Sequence, residues 1–142
     1  MTTYQSDIKT IFSGEEVAFG VLSDLSHLGK LKDHEAVSGK LRILEYDKDS
    51  CLLEVDNIGK IGFRIIEREP FKTIKFESFH LPFHVNAWIQ LKQTAENETK
   101  MKLTLKADLP SMIKMMLNKK LEQGVNTLAD LFADLLNTRL NK

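Results

Sequence analysis

The chain is poor in the residues from which chemistry is most easily read. It has one cysteine in 142 residues, Cys51, so it can form no internal disulfide and no thiolate metal cluster. The segment CLLEV around it reads as a strand, and a small buried hydrophobe is the role expected of that thiol. Charge of neither sign dominates, with 20 basic residues against 20 acidic ones. That balance, with the lysines scattered, argues against nucleic acid as a partner, since phosphate-binding domains carry a basic excess gathered on one face. No apolar run approaches the roughly 20 residues that cross a bilayer. The first residues, MTTYQSDIK, have neither the basic nor the apolar part of a signal peptide, so a cytoplasmic protein with no stable membrane insertion is expected. No HExxH or GxSxG pattern supplies a ready catalytic centre.

What is present describes a globular chain. Hydrophobic residues make up 42% and charged residues 28%, enough for a core and for the surface that covers it. A length of 142 residues suits a single domain, 1–142. Residues 4 to 12 (YQSDIKTIF) read as a first strand ended by Ser13-Gly14. Ser13 and Glu16 then stand at capping-box spacing, and Val17, Val21, Leu25 and Leu28 recur about every four residues. Ser23-Asp24 offers a second cap, which predicts two short helices over 14–31 rather than one long one. The loop KDHEAVSGK follows, and the apolar period changes from 3.6 to 2.

From there to Leu109 the sequence is a run of antiparallel strands. KLRILEY and CLLEV flank the compact connection DKDS, Asn57 to Gly59 makes the next turn, and KIGFRIIERE ends at Glu69-Pro70. KTIKFESFH, FHVNAWIQLK and KMKLTLKADL follow, the last two joined by AENET. In the final strand Met101, Leu103, Leu105, Ala107 and Leu109 alternate with polar residues, so one face is wet and the other covered. The cover is the long helix from Pro110 onward, with Ile113, Leu117, Leu121, Gly124, Leu128, Leu131 and Leu135 on the sheet-facing side. Asp108 is placed to cap it, with Pro110 tolerated in its first turn. Gly124 in mid-helix costs about 1 kcal/mol relative to alanine, and its expected reasons are a strand passing close or space left for something bound.

The order is thus one strand, two short helices, six strands and one long helix. It resembles the helix-grip fold of the START, or SRPBCC, superfamily, which includes lipid-transfer domains, plant-pollen-allergen-like proteins and polyketide cyclases. LSDLSHLGKLKD, DSCLLEVDNIGKIGFRIIEREPFKTIKFE, WIQL and KMKLTLKADLPSMIKMMLNKKLEQGVNTLADLFA look especially like a bacterial, polyketide-cyclase-like branch, and the likeness runs through nearly the whole chain. The resemblance implies an α+β fold in which a curved seven-stranded antiparallel sheet wraps around a long C-terminal helix, with two short helices between strands 1 and 2. It also implies a cavity between sheet and helix.

Strand parity then selects the lining. In FHVNAWIQLK the residues Phe83, Val85, Ala87, Ile89 and Leu91 are apolar and alternate with His84, Asn86, Trp88, Gln90 and Lys92, so a one-residue slip would bury Lys92. His84, Asn86 and Trp88 therefore face outward, as a surface patch open to a neighbouring strand or a partner chain. Ile74, Phe76 and Ser78 point inward, and His80 continues their parity near the rim. The expected ligand-binding residues are Phe63, Ile65, Phe76, Ser78, His80, Phe83, Val85, Ala87, Leu103, Leu105, Leu117, Leu121 and Leu128. Ala87 is the small member of a bulky row and, with Gly124, could leave volume.

Binding of a small hydrophobic or lipid-like molecule is the function this reading favours, with no cofactor, no metal and a possible homodimer. Several rivals compete with it. His80 and His84 as metal ligands would need side chains on opposite faces of a bend at Pro82 to converge. Ser78 with His80 as nucleophile and base lacks an oxyanion-hole motif, although a cyclase or hydrolase using His80 as acid or base is an alternative. Glu67 and Glu69 share the parity of Phe63 and Ile65 and could reach the cavity, but Arg64 and Arg68 favour exposed ion pairs. His27 and His34 are expected on the surface. Met112, Met115 and Met116, with Met101, suit either core packing or an apolar rim at the pocket mouth or a dimer contact. A protein-interaction module of stress or co-chaperone type, acting through the Trp88 patch, and a cavity filled by side chains complete the alternatives.

Overall fold

A computed structural model describes residues 2–31, 41–55 and 59–139. The segment KDHEAVSGK, with His34, and the turn residues Asn57 and Ile58 lie outside the described residues. Eight strands form one antiparallel sheet: β1 Thr2–Gln5, β2 Lys9–Ile11, β3 Leu41–Tyr46, β4 Ser50–Val55, β5 Gly59–Glu69, β6 Thr73–Phe79, β7 Val85–Ala95 and β8 Glu98–Ala107. Their order across the sheet is β1-β8-β7-β6-β5-β4-β3, with β2 also on β8. Helix α1 (Glu15–Leu22) and a 3-10 helix η1 (Leu25–Leu31) follow β2, and α2 (Ser111–Arg139) closes the chain.

The single first strand expected over 4–12 is two short ones in line, because Ser6 interrupts it. Its N–H donates to the carbonyl of Leu103 and its Oγ accepts the N–H of Leu103, both at 2.9 Å, so a side chain stands in for one rung of the ladder. Pairing shifts by one residue there, from Gln5 opposite Thr104 to Lys9 opposite Met101. Counted as one interrupted edge strand, β1 and β2 bring the sheet to the seven strands expected.

The helical pair forms, but its first cap differs from the expectation. Ser13 makes no capping bond; Gly14 is the cap residue, and the N–H of Glu15 is taken by Gln93 Oε1 at 2.8 Å. Ser13 Oγ is buried with no hydrogen-bond partner. Ser13→Ala therefore leaves stability unchanged or raises it by up to about 1 kcal/mol in urea titration, since no bond is lost. A loss of about 1 kcal/mol would instead return the serine to the capping role. The second cap is as read: Asp24 Oδ1 accepts the N–H and Oγ–H of Ser26, at 3.0 and 2.6 Å, and those bonds hold its carboxyl below the usual carboxylate range.

The polar faces also carry corrections. A bulge between Ile65 and Glu67 reverses parity, so Glu67 pairs with Lys75 on the outer side and Glu69 is exposed, and neither reaches the interior. Arg68 turns back instead to bond the Ser23 carbonyl and Asp49 Oδ1 (2.5 Å). Asp108 does not start the long helix: its N–H extends the sheet to the His84 carbonyl, and the Pro110 carbonyl accepts the first helical bond, from Lys114.

The two halves of α2, a helix about 43 Å long, do different work. From Val125 onward Val125, Ala129, Leu131, Ala133, Leu135 and Leu136 are buried against the sheet, whereas nothing between Ser111 and Gly124 is fully buried. Of the sheet-facing set expected, only Leu131 and Leu135 are fully covered; Ile113, Leu117, Leu121, Gly124 and Leu128 are half-exposed. A polar stripe along one side ties the whole length to the edge strands. Asn118 Oδ1 accepts from Tyr4 Oη (2.7 Å), Asn126 Oδ1 from the Asp7 N–H (2.8 Å), and Asn137 bonds both Phe12 and Thr10. Lys9 Nζ meets Asp130 Oδ1 at 2.6 Å, a contact that raises the lysine pKa. Of these only the Asn118 bond reaches the front half, which it ties to β1 at one side.

Candidate functional site

The gap between the front half of α2 and the sheet is a chamber of about 340 Å³. Its floor is built from alternate residues of four strands: Leu53 and Val55 on β4, Ile61 and Phe63 on β5, Val85 on β7 and Leu105 on β8. Leu81 and Phe83, in the connection between β6 and β7, form one wall. The roof is Leu117, Leu121, Gly124, Val125 and Leu128, with Lys120, Gln123 and Thr127 beside them. A side chain added at Gly124 would meet nothing within 4 Å, so the glycine opens onto free space and no strand passes close.

Leu53, Phe63, Leu105 and Leu128 also border a second, inner pocket of about 60 Å³. Leu25, Leu28, Ile43, Cys51, Phe76, Ala87, Ile89, Leu103, Leu131 and Phe132 complete it. Apart from Cys51 its lining is wholly apolar. Burial pushes the Cys51 thiol up to about 12. A thiol raised in the folded state favours folding below the unfolded value of about 8.5, and this contribution fades as pH climbs toward 12. Cys51 in the native protein is therefore expected to resist a thiol reagent at pH 8 and to react only at the rate of unfolding. Rapid labelling without denaturant would show that the inner pocket opens to solvent.

Ten of the thirteen expected lining residues border these spaces: Phe63, Phe76, Phe83, Val85, Ala87, Leu103, Leu105, Leu117, Leu121 and Leu128. Ile65, Ser78 and His80 do not. Ile65 is buried in the core. Ser78 Oγ accepts the Val85 N–H at 3.0 Å and closes the β6–β7 connection. His80 follows the last residue of β6 with a φ of 65°, so it leaves the strand's alternation, and its exposed ring tilts against Phe79 with centroids 5.4 Å apart. A left-handed residue after a strand end has no parity to inherit.

Leu53, Val55, Ile61, Leu81, Lys120, Gln123, Val125 and Thr127 line the chamber and lie outside the expected set. The first three carry a readable signal, the alternation of CLLEV with Cys51 and the parity Ile61 shares with Phe63. Lys120 and Thr127 lie one helical turn from Leu117 and Gly124, and Gln123 lies one turn from each of those two polar residues.

His84 and Trp88 stay outside the chamber, as read. His84 Nε2 lies 2.9 Å from Asn86 Oδ1, and Trp88 is half-buried with the Lys75 and Lys106 ammonium groups 5.5 and 5.7 Å from its ring centre. His27 is half-buried. Met101 is a core residue at 1% exposure, whereas Met112, Met115 and Met116 stand in solvent. Among the described residues no group of three or more His, Cys, Asp or Glu is placed to hold a metal ion, and no helix is long and apolar enough to cross a membrane.

By sequence, no family model matches the chain and no curated protein does. The architecture is nonetheless shared. Norcoclaurine synthase from Thalictrum flavum superposes with a TM-score of 0.73 over 99% of this chain and 87% of its own, at 12% identity. A START superfamily protein from Mycobacterium smegmatis gives 0.62 over 96% and 97%, at 14% identity. The fold is the helix-grip fold. An aromatase/cyclase from Streptomyces sp. R1128 shares it too, with a TM-score of 0.63 over 94% and 91% at 18% identity. Within the helix-grip frame the chamber occupies the space between the grip and the helix. Identities this low convey the scaffold, and the scaffold alone does not select a substrate.

Proposed function

We propose that residues 1–142 form one binding domain that takes up a small apolar molecule in the sheet-to-helix chamber. The observation that carries this reading is the unfilled, largely apolar volume of about 340 Å³, roofed by a helix that leaves Gly124 without a neighbour. That volume falls in the range of about 300–1,000 Å³ used for small-molecule sites. The driving force is removal of apolar ligand surface from water. Lys120, Gln123 and Thr127 lie together on one edge of the roof, so the preferred ligand has an apolar body and one polar or anionic end. Among the described residues the titratable groups in the lining are Lys120 and the Cys51 thiol, which stays neutral at physiological pH, and this supports binding over acid–base catalysis.

Native mass spectrometry of the purified protein, followed by organic extraction, tests the reading. A released apolar compound, or stoichiometric uptake of an added one, is expected. No bound mass and no uptake across a panel of fatty acids and aromatic compounds would sink it.

A further inference from the structure

The outward stripe of the front half of α2 is apolar where a surface helix is ordinarily polar. Met112, Met115 and Met116 are 78%, 85% and 72% exposed. Lys119 lies among them on the same helical face, Lys114 and Lys120 stand to either side, and from Ser111 to Leu121 there is no acidic residue, Glu122 being the next. In a chain whose charges balance overall, this segment is cationic and also exposes its large apolar side chains. The same turns supply Leu117, Lys120 and Leu121 to the chamber roof, so the stripe borders the site.

We infer that this segment docks the protein on an anionic lipid surface beside the chamber mouth. Flexible methionines suit the boundary between headgroups and acyl chains, while the lysines meet the lipid phosphates. A second copy of the chain is the poorer occupant. A two-fold contact through this stripe would set lysines against lysines. The seat is a surface attachment, distinct from a membrane-spanning helix. Its purpose, placing the chamber where apolar ligands reside, rests on the binding function proposed above; the docking itself does not.

The test is co-sedimentation of the full chain with vesicles of equal parts phosphatidylglycerol and phosphatidylcholine, and with phosphatidylcholine alone, at low and high salt. Binding to the anionic vesicles is expected, weakening with salt. It should fall about tenfold or more in Lys114→Glu/Lys119→Glu, and comparably in Met112→Gln/Met115→Gln/Met116→Gln. Circular dichroism checks that these surface variants keep the helix. No binding to anionic vesicles, or binding that both variants retain, overturns the inference. A loss confined to the lysine variant also overturns it and points to an acidic macromolecule as the partner. Uptake of an apolar probe in vesicle-free buffer is measured in parallel and should be unchanged in both variants. Vesicle binding without probe uptake would uphold the docking and remove the ligand reading, so the two can fail separately.

Discussion

Gly124→Phe abolishes uptake of an apolar probe and raises the unfolding temperature by a few degrees. Both halves of this expected result follow from the open space around the glycine. A ring placed there projects into the chamber of about 340 Å³ and meets no neighbour within 4 Å of its first carbon. It competes directly with a ligand for that volume. Replacing a mid-helix glycine also recovers several tenths of a kcal/mol of helix propensity, and burying the ring adds about 1.5–3 kcal/mol at most. Gly124→Ala is the control: it should stabilise by about 1 kcal/mol and leave the affinity almost unchanged. Ala87, the small member of the inward row, is the poorer site for this experiment. It borders the inner pocket of about 60 Å³, where a phenylalanine would overpack the core at a cost of about 1–3 kcal/mol. If Gly124→Phe bound the probe as the parent does, the ligand would have to sit elsewhere.

Leu136→Ala costs about 2–5 kcal/mol, while Leu117→Ala, the same chemical change in the same helix, costs below about 1 kcal/mol. Leu136 is wholly enclosed in the core, so its truncation leaves a new cavity in a close-packed layer. Leu117 already borders open space, so its truncation enlarges an existing void, and alanine's helix propensity offsets part of the loss. Urea denaturation of the two variants measures the difference. Equal losses would mean that the front half of the helix packs on the sheet in solution and that the chamber is closed. The contrast thus tests the division of the helix into an anchored half and a roof.

How far the sequence carries can be judged element by element. The alternation in KMKLTLKADL places Met101, Leu103, Leu105 and Ala107 in the core, and all four are buried. FHVNAWIQLK likewise sets Val85, Ala87 and Ile89 inward and Trp88 outward. Parity fails where the period is broken. The bulge after Ile65 turns Glu67 outward, and the left-handed backbone at His80 takes that histidine out of the row. Each break depends on how one strand meets its neighbour, which no local pattern records.

The sequence by itself determined the order of elements, the inward row of each regular strand and the helix that covers them, because periodic burial imprints these on the chain locally. Only the tertiary structure decided that the front of α2 stands clear of the sheet. The asparagine bonds at 118, 126 and 137 join residues more than a hundred positions apart. Leu117, over the void, and Leu131, in the core, belong to the same apolar stripe and are indistinguishable by spacing. What separates them is the distance to the opposing layer, set by strands β1 and β2 at the far end of the chain.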